Sequence, residues 1–87
     1  MNARDLVAWN IRRIRVLRGI SSETLAATAE VDRAYVGRIE RAAANPTIDV
    51  LEKIARVLAV DLADLFAVPE PNEQRPMPLL GGRRQSR

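Results

Sequence analysis

Arg33, Ala34, Gly37 and Arg38 stand at i, i+1, i+4 and i+5, a spacing that puts all four on one face of a helix. Val36 and Ile39 take the opposite, inward face of the same segment. A guanidinium is a planar fork of donors that fits the O6/N7 edge of guanine or a phosphate. Beside the two arginines, Ala34 offers a small apolar contact suited to a thymine methyl, and Gly37 permits close approach. Both arginines suit phosphate as well as guanine, so the residue types alone leave base and backbone contact open.

The elements that must carry this face lie within residues 21–40, SSETLAATAEVDRAYVGRIE. Leu25, Ala26 and Ala29 recur at helical spacing before a turn, and Val36 and Ile39 do so after it. Ser21 and Asp32 fall where N-caps belong, because a short side-chain oxygen accepts from the first free amides of a helix. The spacing predicts a helix over Ser22–Ala29 and another over residues 33–41, which is a helix-turn-helix.

A support helix is expected over Ala3–Arg18, with Leu6, Val7, Asn10, Ile11, Ile14 and Leu17 sharing its inner face. Gly19 is its natural stop. Trp9 and Val16 lie one heptad apart on the other face, next to Arg13. Trp9 reads as an exposed apolar residue with its ring over Arg13, and less well as part of a docking patch. Pro46 ends the segment after helix 3. Thr47 then caps a fourth helix, residues 48–59, with Ile48, Leu51, Ile54, Ala55 and Leu58 as its buried stripe. Asp61 and Asp64 are placed as N-cap and N3 of a short fifth helix, residues 62–67. Of its apolar residues, Phe66 is expected in the core, and Leu65 with neighbouring Val68 on an outer surface. The composition changes after residue 67. The stretch 68–87 holds four of the five prolines, Gly81-Gly82 and a basic end, and shows no helical or strand period. It reads as a tail, separate from a domain over residues 1–67.

Taken in order, Asn10-Ile11-Arg12 with Arg15, Gly19-Ile20-Ser21, Ala26 with Val31, residues 35–40, Asn45-Pro46 and the Leu51/Ile54/Ala55/Leu58 stripe resemble the DNA-binding domain of lambda repressor and Cro, the Xre family. The resemblance covers residues 6–66. It implies an all-α, compact five-helix domain whose third helix enters the major groove of double-stranded DNA. On that footing Arg33, Ala34, Gly37 and Arg38 correspond to the base-reading positions. Ser22, Tyr35, Asn45 and Arg12 are candidates for phosphate contact. Ser22 stands where the family often has a longer Gln, and Tyr35 equally suits packing on the rim of the core. Arg15 and Glu40 correspond to a pair that joins helix 1 to helix 3, a structural brace. A homodimer is implied as well, with Leu65 and Val68 as the candidate contact. Three positions depart from the family pattern. Glu30 sits in the turn where Gly is common, at a cost of about 1 kcal/mol if the residue is left-handed. Ala42 and Ala43 replace a Gly and a basic residue after helix 3, and Val50 leaves Thr47 without a capping-box partner.

Composition narrows the alternatives. The chain has 87 residues, enough for one small core, and only 3% are aromatic, which favours packed aliphatic helices over a sheet. With no Cys and no His, disulfides, thiolate metal sites and the commonest general base are excluded. No metal or cofactor constellation is visible, and an enzyme is not expected. No apolar run reaches the length of a membrane span and no signal-peptide pattern is seen, which predicts a cytoplasmic protein. The net charge of +3 is unevenly spread. Residues 1–20 carry Arg4, Arg12, Arg13, Arg15 and Arg18 against Asp5 alone, which suits a polyanionic partner.

The expected function is a sequence-specific double-stranded DNA-binding transcriptional regulator, a repressor or autoregulator. Two alternatives stand beside it. One is an antitoxin-type module that binds a partner protein through the tail, with Leu79 and Leu80 as docking residues. The other is the controller of a restriction–modification operon.

Overall fold

The computed structural model describes residues 1–70 of the chain. The expectations placed on Leu79, Leu80 and the basic end of the tail lie outside the described residues. Four α-helices, α1 (Ala3–Arg18), α2 (Ser22–Ala29), α3 (Arg33–Glu40) and α4 (Ile48–Leu58), are followed by a 3-10 helix, Leu62–Phe66. No strand is present among the described residues.

Each helix starts where a side chain can take up a free amide. Asn2, Ser21, Asp32 and Thr47 accept from the amides of Asp5, Thr24, Tyr35 and Val50 at 2.9–3.1 Å. Asp61 and Asp64 form a reciprocal capping box at the 3-10 helix. The ends are set by left-handed residues. Gly19 takes this conformation at no steric cost, but Glu30, Ala42 and Ala59 adopt φ near 60° with a Cβ in place. Ala59 thereby closes α4 one residue earlier than the sequence pattern predicts. α3 likewise stops at Glu40, with Arg41 already at φ −99°, ψ 9°.

α1 packs against α3, α4 and the 3-10 helix, while α2 lies against α3 and α4. The centre is aliphatic. Ile11, Leu25, Val36, Ile39, Ile54, Leu58 and Leu65 are fully buried, and Ala26 and Ala55 let the helices approach closely. Burying a side chain of this size contributes about 1.5–3 kcal/mol, so the inner faces hold the bundle together.

Five apolar residues are placed differently from their pattern. Leu65 is fully buried, whereas Phe66 is 38% exposed, the reverse of the expectation for the closing segment. The cause is its helix type. A 3-10 helix turns once every three residues, so Leu62 and Leu65 share a face and Phe66 is rotated off it. Ile48, the first residue of α4, is exposed, and so, to a lesser degree, is Leu17 near the end of α1, because each lies at the edge of the core. Trp9 is half-buried rather than exposed, and its Nε1 is shut away from solvent with no acceptor among the described residues.

Candidate nucleic-acid interface

The turn between α2 and α3 is closed by backbone alone. The amides of Glu30 and Val31 donate to carbonyls at the end of α2, Val31 to Ala26 at 2.9 Å, with Glu30 held left-handed. Asp32 then caps α3, and the full burial of Val36 and Ile39 fixes its rotation. That rotation leaves Arg33, Ala34 and Arg38 exposed, with Gly37 among them half-buried. The four residues expected on one face are therefore together on it.

Neither arginine hangs loose. Arg33 Nη1 lies 2.7 Å from Glu23 Oε2 at the start of α2. The Arg38 guanidinium stands 5.6 Å from the centre of the Tyr35 ring, a cation–π distance. Tyr35 is half-buried, and this contact keeps its ring beside the arginine.

Arg15 reaches from α1 to the far end of α3. Its Nε donates to Glu40 Oε2 at 2.8 Å and its Nη2 to Oε1 at 3.0 Å, a bidentate bond, while Nη1 donates to the Ile20 carbonyl at 3.1 Å. Glu40 is buried, so the pair is shielded from water and the geometry is strong. Ser22 Oγ also points to this carboxylate, 3.4 Å from Oε2. Its hydroxyl is thus engaged by the brace, and Ser22 is half-buried. Asn45, after α3, and Arg12, on α1, are both exposed. Leu65 has no surface to offer a second subunit, but Val68 is 78% exposed.

The helix-turn-helix family matches residues 11–65, from the middle of α1 through the 3-10 helix. The chain belongs to the helix-turn-helix family of DNA-binding regulators. It is 37% identical over 67 residues to a hypothetical transcription factor of Neisseria meningitidis serogroup B, a match covering 77% of this chain and 63% of that protein's length. It is 37% identical over 66 residues to the control protein C.BamHI of Bacillus amyloliquefaciens, covering 75% of this chain and 82% of that one. In structure it resembles the restriction-modification controller C.AhdI of Aeromonas hydrophila, with a TM-score of 0.70, 33% identity, and coverage of 72% of this chain and 96% of that one.

Two residues that hold this helix-turn-helix domain in shape do so through bonds that the sequence does not reveal. Asn10 is buried, and its Nδ2 lies 2.9–3.0 Å from the carbonyl oxygens of Leu6, Leu65 and Ala67. It fastens the end of the 3-10 helix to α1, while its Oδ1 accepts from Arg13. Arg18 donates through Nε and Nη2 to the Leu58 and Ala59 carbonyls, satisfying the open end of α4. A polar residue in an apolar stripe was the signal for Asn10. Nothing local marks Arg18, whose partners lie 40 and 41 residues away. Among the described residues no helix is long and apolar enough to cross a membrane, and no cluster of acidic, His or Cys side chains could hold a metal ion.

Proposed function

We propose that this regulator binds a specific double-stranded DNA operator as a homodimer and acts as a repressor or autoregulator in the cytoplasm, with no enzymatic role. The observation that carries the reading is the outward face of α3, with Arg33, Ala34, Gly37 and Arg38 side by side on a helix held in place by its buried inner face. In the major groove, Arg33 and Arg38 contact guanine edges and Ala34 packs on a thymine methyl. The exposed Arg12 and Asn45, the Tyr35 hydroxyl and the amide end of α2 at Ser22 hold phosphates on either side. A single domain spans few base pairs. Two copies on half-sites about 34–36 Å apart supply the length a unique operator needs. At the end of the described chain, the exposed Val68 and the partly exposed Phe66 are apolar groups available for that pairing.

A more specific role as controller of a restriction–modification operon is favoured by the controller proteins among the relatives, at 31–37% identity and on the same fold. The partner-protein reading rests on the tail beyond residue 70 and gains no support from the described residues.

Selection of bound sequences from a random DNA pool tests the proposal. An enriched inverted repeat, with binding that weakens steeply as salt rises, is the expected result. No enrichment, or binding indifferent to salt, would overturn it.

A further inference from the structure

Gly37 is half-buried although Ala34 and Arg38, on the same face of α3, are exposed. The group over it is the side chain of Arg41. A methyl carbon placed on Gly37 would stand 3.2 Å from Arg41 Nη1. Arg41 belongs to the turn after α3, with its amide bonded to the Gly37 and Arg38 carbonyls at 3.2 Å. From there its side chain folds back one helical turn and lays its guanidinium on the outward face of the helix. Arg33 is paired with Glu23 and Arg38 lies beside Tyr35, but the Arg41 guanidinium has no ion-pair or hydrogen-bond partner among the described residues. The residue is exposed, and its guanidinium donors are unused among the described residues.

We propose that Arg41 is a specificity-determining residue that reads a guanine in the major groove through the gap left by Gly37. This rests on α3 being the groove-bound helix. The physical reason is position. A guanidinium seated over the middle of the recognition face enters the groove with that face, whereas one extended from the turn would meet the phosphate backbone. Gly37 therefore does more than permit close approach of the helix. Its missing side chain is the seat of a guanidinium delivered from four residues further on. An arginine fork suits guanine O6 and N7, and a lysine in its place has no bidentate geometry to offer.

Random-pool selection with the full chain, run on the wild type, Arg41→Ala, Arg41→Lys and Gly37→Ala, decides the matter. All three substitutions lie at exposed or half-buried positions, and a thermal melt of each checks that the fold is kept. The expected result is that Arg41→Ala and Arg41→Lys both lose preference for guanine at one position of each half-site, by roughly 5- to 150-fold, with the other positions retained. Gly37→Ala, which displaces the guanidinium, weakens the preference at that same position. Uniform weakening by Arg41→Ala with the enriched sequence unchanged, restored by Arg41→Lys, would mark a phosphate contact and overturn the assignment while leaving the DNA-binding reading intact. If the wild type itself enriches no sequence, the DNA-binding reading falls and this assignment with it.

Discussion

Arg33 Nη1 and Glu23 Oε2, 2.7 Å apart, tie the first turn of α3 to the first turn of α2 across an exposed surface. Both side chains are more than half exposed, at 73% and 60%, so water and salt screen the pair and it contributes about 0–1 kcal/mol to stability. A bond this weak is readily exchanged for one to DNA. In the proposed complex the Glu23 carboxylate would stay at the interface once Arg33 turned to DNA.

Glu23→Gln should therefore bind DNA more tightly, by about five-fold at low salt, since removing one repelling charge at surface distance is worth about 1 kcal/mol. The gain should shrink as salt rises. Fluorescence anisotropy with a fixed operator at two salt concentrations measures both. Unchanged or weaker binding at low salt would mean that Glu23 positions Arg33 rather than restrains it.

Glu40→Ala should destabilise the domain by about 3 kcal/mol, because the Arg15 guanidinium then loses both bonds of its fork in a largely shielded site. Glu40→Gln, which keeps the shape and one acceptor, should cost less. Urea unfolding of the two variants measures the difference. An Ala variant of native stability but altered operator preference would show the pair to be part of the reading surface instead.

Asn10→Asp should be more damaging than Asn10→Ala. Alanine leaves the Leu65 and Ala67 carbonyls without their donor, at about 1–3 kcal/mol. Aspartate adds a carboxylate oxygen facing those same carbonyls in a site where Asn10 is only 1% exposed. Midpoints of chemical unfolding in the order wild type, Ala, Asp are expected, and an Asp variant as stable as wild type would contradict the geometry.

Glycine at Glu30, Ala42 or Ala59 should stabilise the fold. Each position is left-handed at φ 60–61°, and a Cβ there costs about 1 kcal/mol. The freedom that glycine adds to the unfolded chain subtracts part of that gain. A rise of a few degrees in Tm per substitution is the expected calorimetric result, at about 4–8 °C per kcal/mol for a domain of this size. Ala59→Gly also places no charge or bulk near α3, so its DNA affinity should be unchanged.

Much of this architecture was legible because it is local. The caps at Ser21, Asp32 and Thr47 and the stop at Gly19 need only neighbours a few residues away, and the helix starts follow from them. The face of α3 was readable for the same reason, since burying Val36 and Ile39 dictates what remains outside. Two kinds of feature were not. The Leu65/Phe66 exchange depends on a choice between three and 3.6 residues per turn, which five residues are too few to reveal by periodicity. Asn10 and Arg18 act on carbonyls 55 and 40 residues distant, and backbone acceptors leave no trace in residue type. The left-handed turn at Ala59 was hidden because the usual marker, glycine, is missing there.

The guanidinium of Arg15 touches the carbonyl of Ile20, immediately before the cap of α2, and the carboxylate of Glu40, the last residue of α3. One side chain from outside the pair thus clasps its two extremities. Such a clasp makes the two helices a calliper of fixed opening, whose tilt against a duplex is set on α1 and not by any residue that faces the groove. If the protein pairs on DNA as proposed, substitutions along α1 that nudge Arg15 should then change the half-site spacing tolerated while leaving each half-site's sequence untouched.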